Sequence, residues 1–177
     1  MKKVQEGDFS KMGLLFERHN RALFGFFYRI TSNAAQSEDL TQNVFYRLLK
    51  YRKSYKHDGR FVYWMYTVAR NVSHDQFRKK DPMYHSEDVS EQSDIRADDR
   101  NMEEKMQLNE DQILLKAAMK KLDPEKREAI VLSRFKGFKY KDIADMSGVS
   151  ENAIKARVRR GLMELRNILE GKETNEL

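Results

Sequence analysis

The sequence predicts an all-α protein made of two small helical domains that are joined by a flexible acidic linker. Apolar residues recur at helical spacing through residues 1–80 and 109–177, which we take as the two domains. Formal charge is +9 over residues 1–80, −8 over residues 81–111 and +5 over residues 112–177. The second domain also contains a pattern typical of a helix-turn-helix.

Three helices are expected in the N-terminal domain. The apolar spacing predicts the first from Phe9 to Ile30 and the second from Ala34 to Lys50. Residues 54–60 are predicted to form a loop, and the third helix runs from Phe61 to about Lys80. Pro82 then ends that helix, because proline lacks the backbone N–H that a helix interior needs.

The linker, residues 81–108, is acidic and has little apolar content. Such a segment cannot bury enough surface to fold alone, so we expect it to be flexible. The sequence leaves open whether its charge has a specific role or only keeps the tether solvated.

The C-terminal domain begins with a predicted helix from Asn109 to Lys121. Asp123 is a good N-cap for a further helix, and Pro124 fits its first position, where a missing N–H costs nothing. That helix is expected to reach about Phe135, and Gly137 ends it.

The helix-turn-helix follows from Tyr140 onward. Ala144 is small enough for a second helix to cross closely, and Gly148 lies where a tight turn often needs a positive φ. Ser150 is a good N-cap for the second helix. The buried stripe predicted for that helix is Ile154, Val158, Leu162, Leu165 and Leu169.

The side of this second helix that faces away from the stripe predicts a DNA partner. A capped helix with a cationic exposed side fits the major groove with its N-terminal half. An ordinary helical hairpin with a solvated basic side is the alternative. We call the following residues the basic face: Asn152, Lys155, Ala156, Arg157, Arg159 and Arg160.

The third helix also has a distinctive side, opposite the apolar stripe that contains Trp64. Aromatic rings beside cations suit single-stranded nucleic acid, because bases stack on the rings while cations contact phosphates. The alternative is that the tyrosines pack against neighbouring helices. We call these residues the aromatic face: Tyr63, Tyr66, Thr67, Arg70 and His74, with Asn71 at its margin.

The second helix carries a polar side that is either solvated or a small docking surface for a larger assembly. We call it the polar face, and it consists of Glu38, Asp39, Gln42, Asn43 and Arg47.

The amino-acid composition limits which functions the protein can have. The net charge of +6 and the pI near 9.4 favour a polyanionic partner. With no cysteine, no metal-ligand spacing among four histidines and no glycine-rich phosphate loop, we expect no catalytic, cofactor-binding or metal-binding residues. No apolar run approaches membrane-spanning length and the start has no apolar signal core, so we expect a soluble cytoplasmic protein without membrane insertion.

Three segments resemble parts of bacterial RNA polymerase sigma factors. Residues 37–49 are similar to their core-polymerase-binding helix, and residues 61–79 resemble their promoter-melting and downstream-element helix. Residues 122–132 together with 140–166 resemble their upstream-element domain. Two domains in this order resemble the extracytoplasmic-function subfamily of the sigma-70 family.

The resemblance implies roles for these surfaces. The polar face would contact the clamp helices of the polymerase's largest subunit, and Asn43 stands where the family often has Glu. Residues 54–60 would hold a flipped base, and Tyr66, Arg70, Asn71 and His74 would face the downstream (−10) promoter element. The basic face would read the upstream (−35) element, with Arg157 near a phosphate. The acidic linker could occupy a channel built for RNA, and an anti-sigma factor is a further expected partner.

Two other hypotheses stay open from the residues alone. A conventional helix-turn-helix regulator would share the C-terminal motif, and a nucleic-acid enzyme could use scattered carboxylates. The N-terminal domain distinguishes a sigma factor from a conventional regulator. A conventional regulator usually needs a ligand, phosphoacceptor or dimerisation domain there, whereas a basic aromatic helix suits melted DNA.

Overall fold

The computed structural model describes residues 1–56, 60–80 and 110–171. All regular secondary structure in these ranges is helical, which confirms the all-α prediction. The predicted acidic linker lies outside the described residues, as do the central residues of the predicted loop at 54–60.

The N-terminal half follows the predicted helices closely. Ser32 ends the first long helix in a left-handed conformation, with φ of 56°, and the Asn33 side chain caps the next by accepting from the Gln36 N–H at 2.9 Å. A short helix at the N-terminus was not predicted. The elements are α1 (Lys2–Gln5), α2 (Ser10–Thr31), α3 (Ala34–Lys50), a 3₁₀ turn (Arg52–Ser54) and α4 (Phe61–Lys80).

The C-terminal half also matches its prediction. The Asp123 side chain accepts from the backbone N–H groups of Glu125 and Lys126, so the predicted cap is confirmed. Gly137 and Gly148 adopt positive φ values of 70° and 66°. The elements are α5 (Glu110–Lys121), α6 (Pro124–Ile130) with a π-helical continuation (Val131–Phe135), α7 (Tyr140–Ser147) and α8 (Glu151–Leu169).

The two halves share one buried apolar cluster. Phe26, Phe27 and Met65 are fully buried in the N-terminal half, and Ile130 and Leu132 belong to the same cluster from the C-terminal half. The two domains are therefore packed together rather than held apart, an arrangement that the apolar spacing could not predict.

The second helix of the helix-turn-helix approaches α6 closely at Gly161. A Cβ atom at this position would lie 2.9 Å from Ile130 Cδ1 and 3.2 Å from Lys126 Cβ, so a larger residue would push the helices apart. The predicted stripe is confirmed at Ile154, Val158 and Leu165, which are buried. Leu169 was placed on that stripe wrongly: it is about half exposed, because it is the last residue of α8.

A single buried guanidinium connects both halves. Arg127 donates from Nη1 to the carbonyl of Ile30, in the last turn of α2. Its Nη2 donates at 2.7 Å to the carbonyls of both Lys120 and Leu122, at the end of α5. Two helix C-termini, each carrying a partial negative charge, therefore share one cation. Burial lowers the pKa of Arg127, and nearby Asp123 opposes that shift.

We expect Arg127→Met to lower the free energy of unfolding by about 2 kcal/mol or more, because three carbonyls lose a charged donor. Urea unfolding followed by far-ultraviolet circular dichroism measures the loss. Arg134→Met is the control, since Arg134 is exposed, and its effect should stay within about 0.5 kcal/mol. Equal unfolding midpoints for the two variants would contradict the role given to Arg127.

Candidate nucleic-acid interface

The basic face is built on a correctly formed helix-turn-helix. The left-handed Gly148 ends α7, and Val149 packs against the buried cluster beneath the turn. The Ser150 side chain accepts from the Ala153 N–H at 3.2 Å and fixes the start of α8. The first turns of α8, where a recognition helix contacts base edges, are therefore held rigidly.

Most of the basic face is exposed, as predicted. Asn152, Lys155, Arg159 and Arg160 are exposed, and Ala156 is partly so. Lys155 pairs with Glu151 one turn earlier, at 2.8 Å. Within the part of the chain that the structure describes, Arg159 and Arg160 form no ion pair, so their charges are available to a ligand.

Arg157 differs from the rest of the basic face. Its guanidinium lies 2.7 Å from the carboxylate of Glu125, at the start of α6, and its side chain is mostly buried. A phosphate contact by Arg157 would compete with this ion pair.

A shallow apolar cleft runs beside the exposed cations. Tyr140, Leu162 and the exposed Met163 form its apolar lining, and Lys155, Arg159, Arg134 and Arg166 surround it. Met163, Arg134 and Arg166 were not predicted as part of this surface. Met163 and Arg166 follow Arg159 by four and seven residues, a helical spacing that could have found both. Arg134 lies on a different element, so no spacing along α8 could have found it.

The C-terminal half covers part of the aromatic face, so the outward placement of Tyr66 and Arg70 is wrong for this arrangement. Tyr66 is only 3% exposed, because Phe26 and Phe138 pack against its ring from both halves. Its hydroxyl lies 3.4 Å from the Ala22 carbonyl, and burial raises its pKa to about 12. The alternative, that a tyrosine here packs against neighbouring helices, is confirmed for Tyr66.

Arg70 and His74 of the aromatic face contact the C-terminal half. Arg70 Nε donates at 2.7 Å to one carboxylate oxygen of Glu128, and His74 Nε2 lies 2.8 Å from the other oxygen. The Arg70 side chain is 14% exposed and Glu128 is 9% exposed. Glu128 was missed because nothing in its own helix indicates a partner 58 residues away in sequence.

Asn71 and Tyr63 occupy the rim of this contact. Asn71 is exposed and Tyr63 partly exposed. Burial, and then the nearby carboxylates of Asp145 and Asp142, raise the pKa of Tyr63. Of the predicted downstream-element residues on α4, Asn71 is therefore exposed with the two halves packed together, and the His74 side chain remains 40% exposed.

The polar face lies on α3, which packs against α4 through Arg47. Glu38, Asp39, Gln42 and Asn43 are exposed. Arg47 is more constrained, since it pairs with Asp75 of α4 at 2.7 Å and donates to Asn43 at 3.2 Å. Arg47 thus holds α3 against α4 whatever else it contacts.

An exposed aromatic residue extends the polar face. Tyr46 is 63% exposed and follows Gln42 and Asn43 by four and three residues, so it lies on the same side of α3. Aromatic residues are enriched at protein interfaces, so this side chain belongs in the candidate surface. Helical spacing alone could have identified it.

Helix α1, at the start of the chain, holds the described part of the predicted loop in place. Gln5 of α1 donates from its amide to the carbonyl of Arg52 at 2.6 Å and to that of Tyr55 at 2.8 Å. The ring of Tyr55 lies 5.1 Å from the ring of Trp64. The described end of the loop is therefore held between α1 and α4.

The described ranges contain neither a metal cluster nor a membrane-spanning helix. No group of three or more His, Asp or Glu side chains there is arranged to hold a metal ion. No helix in the same ranges is long and apolar enough to cross a membrane.

Comparison with known proteins places these surfaces in a family. Residues 15–82 match the model of sigma-70 region 2, and residues 112–165 match that of sigma-70 region 4. The chain is 30% identical over 172 residues to the RNA polymerase sigma factor CarQ of Myxococcus xanthus, with 96% of this chain and 95% of CarQ covered. It is 26% identical over 176 residues to the ECF sigma factor SigW of Bacillus subtilis, with 96% and 94% covered.

A solved structure shares the fold. The sigma factor RpoE from Bartonella quintana, crystallised with the anti-sigma factor NepR, superposes with a TM-score of 0.68 at 24% identity. The match covers 91% of this chain and 98% of that one.

These matches identify the class of protein: the sigma factors, which are transcription factors that are not themselves catalytic. The chain belongs to the sigma-70 family, in its extracytoplasmic-function group. It binds core RNA polymerase and directs transcription initiation at specific promoters, and the hypothesis of a conventional regulator is excluded.

The packed arrangement also creates a lysine with an unusual pKa. Lys136 donates from Nζ to the Ala22 carbonyl at 2.7 Å across the contact between the halves. Burial, and then the nearby Arg29, lower its pKa from 10.5 to about 8. The charged form is therefore disfavoured in the folded protein relative to the unfolded chain.

We expect this lysine to make folding more favourable as the pH rises from about 8 toward 10.5. In that window the unfolded chain binds more protons at this position than the folded protein does, so raising the pH favours the folded state. The test compares urea unfolding of the parent and Lys136→Met across the window. The difference in unfolding free energy should grow in favour of the parent. A constant difference would contradict the lowered pKa.

Proposed function

We propose that three separate surfaces divide the work of initiation. The polar face with Tyr46 binds core polymerase, α4 opens and reads the downstream element, and the basic face reads the upstream element. We place the corresponding domain boundaries at residues 1–80 and 109–177, joined by the linker at 81–108. The protein would act in the cytoplasm, together with the polymerase.

The exposure of the capped helix α8 carries the upstream assignment. Arg159 and Arg160 present unpaired charges beside Asn152 within the described residues, on a helix whose other side is buried at Ile154 and Val158. An arginine in the major groove can bind a guanine edge with two hydrogen bonds. Ala156 offers only an apolar contact, which suits a thymine methyl group.

The core-polymerase assignment is supported by charge and accessibility. Glu38 and Asp39 are exposed acidic groups in a half of the chain whose net charge is strongly positive. An exposed tyrosine beside a polar rim matches the usual anatomy of a protein interface. Arg47 would contribute by holding α3 in place through Asp75.

The downstream assignment requires a change in the packed arrangement. Tyr66 and Arg70 can meet unpaired bases only after the C-terminal half has moved off α4, because Phe138 and Glu128 now cover them. His74 is partly exposed but is engaged by Glu128. Stacking of a base on an exposed aromatic ring contributes about 1–3 kcal/mol, and that contact exists only once the base has left the duplex. Binding would then favour the open promoter over the closed one.

An anti-sigma factor is a further proposed partner. The related RpoE was crystallised with the anti-sigma factor NepR. Exposed apolar side chains on several elements, including Leu14, Tyr46 and Met163, give such a protein places to bind. Inhibition of run-off transcription by the added partner would test it.

We expect Asp39→Arg to block assembly with core polymerase, because it reverses a charge at the centre of the polar face. Size-exclusion co-elution with purified core polymerase measures this. Asp111→Arg is the matched control, since it makes the same change at an exposed position on α5. Normal co-elution of Asp39→Arg would show that the polar face is assigned wrongly.

We expect Asn71→Ala to reduce promoter opening while leaving assembly with core polymerase intact. Its amide can hydrogen-bond an unpaired base edge. Permanganate reactivity of promoter thymines measures the opening, on a promoter that the parent transcribes in run-off assays. Gln112→Ala removes an exposed amide from α5 and serves as the control. Unchanged reactivity in Asn71→Ala would rule out this role.

We expect Arg159→Ala and Lys155→Ala to weaken upstream-element recognition. Loss of a base contact should cost about 1–3 kcal/mol and depend on the base, while loss of a phosphate contact should weaken all sequences alike. Run-off transcription from promoters with single upstream substitutions separates the two. Lys120→Ala, an exposed cation on α5, is the control. If both variants keep the parent's selectivity and activity, the basic face is not the reading surface.

A further inference from the structure

The carboxylate of Glu128 occupies a site formed by two side chains of α4. Arg70 Nε contacts one oxygen at 2.7 Å and His74 Nε2 contacts the other at 2.8 Å. Arg70 and His74 are one helical turn apart, so both project from the same side of α4. The anion in this site comes from the other half of the chain.

The chemistry of this site fits a phosphodiester as well as a carboxylate. Both anions carry one negative charge spread over two oxygens. Arginine is the side chain best suited to either, because its planar guanidinium matches their geometry. A histidine one turn away adds a second donor when its Nε2 carries a proton.

We infer that Arg70 and His74 are a phosphate-binding pair, and that Glu128 is an internal competitor that fills it until the two halves separate. The inference rests on the proposed role of α4 in binding melted promoter DNA. It adds the chemical class of the ligand, a backbone phosphate, and names the group that the phosphate displaces.

The neighbouring contacts explain why displacement and separation occur together. Glu128 lies on α6, next to Arg127, whose guanidinium holds the Ile30 carbonyl of the N-terminal half. Arg70 also lies 3.5 Å from the Met146 carbonyl of α7, and Phe138 covers Tyr66. A phosphate cannot reach Arg70 while these groups remain in place, because the Arg70 side chain is almost completely covered.

Binding of the free, full-length protein to fluorescent single-stranded oligodeoxythymidine tests the inference. Glu128→Gln keeps the shape of the side chain but removes its charge, so it should bind this probe about threefold more tightly or better, with a steeper salt dependence. Glu164→Gln is the matched control. It removes an ion pair of similar length, 2.6 Å to Lys126, and changes the net charge equally, but its pair lies within the C-terminal half. Equal affinities for Glu128→Gln and the control would overturn the inference.

A double variant separates phosphate binding from general opening. If the higher affinity of Glu128→Gln for the probe arises at Arg70 and His74, the double variant Arg70→Gln with Glu128→Gln should bind the probe no better than Arg70→Gln alone. If the higher affinity persists without Arg70, separation of the two halves merely exposes some other surface, and the phosphate-binding pair is disproved. Circular dichroism confirms that each variant is folded.

Separation of the halves can be measured directly by energy transfer. The chain has no cysteine, so two introduced cysteines can be labelled specifically. Lys50→Cys and Leu169→Cys place fluorescent labels at exposed positions on α3 and α8. The probe should lower energy transfer between them, and should do so at lower concentration in Glu128→Gln. Probe binding without a change in energy transfer would overturn the competitor role.

Run-off transcription with core polymerase distinguishes failure of the competitor role of Glu128 from failure of the proposed role of α4. If Arg70→Gln transcribes normally, the proposed role of α4 at promoters fails, whatever the oligonucleotide shows. If Arg70→Gln is defective in transcription but Glu128→Gln binds the probe like the parent, only the competitor is disproved.

Discussion

The buried guanidinium of Arg127 is the contact on which the arrangement of the whole molecule depends. It neutralises the carbonyl ends of α2 and α5 at once, and these helices belong to different halves of the chain. A cation so deeply buried is stable only with good acceptors around it, so its position fixes both helix ends. Glu128, the next residue along α6, is thereby brought to α4, and the aromatic face is covered.

Local structure was predictable because local chemistry determines it. The bounds of α3 and α4, the caps at Asp123 and Ser150 and the turn at Gly148 agree with the sequence prediction. Helical periodicity and capping act over a few residues, so one sequence contains the needed information. Apart from Arg157 and Arg47, the basic face and the polar face were also placed correctly as accessible surfaces, because each lies opposite a buried stripe on its own helix.

What the sequence did not predict is contact between distant elements. Periodicity shows that Tyr66 and Arg70 lie opposite the Trp64 stripe, but a helix can be covered on both sides. Here α7 and the segment at Phe138 cover the second side. Likewise, Leu169 continues the spacing of the buried stripe but lies at the end of α8 and is half exposed. Sequence spacing assigns residues to a side of a helix, while tertiary packing decides which sides are buried.

Three acceptors in the contact between the halves are backbone carbonyls, beside the side-chain carboxylate of Glu128. Arg127 donates to the carbonyl of Ile30, Lys136 donates to that of Ala22, and Arg70 approaches that of Met146. Every amino acid supplies a carbonyl, so changing the side chain at an acceptor position does not remove the hydrogen bond. At these three carbonyls tolerance to substitution is therefore one-sided: the acceptor residue can be exchanged with the hydrogen bond kept, whereas the long donor side chain cannot.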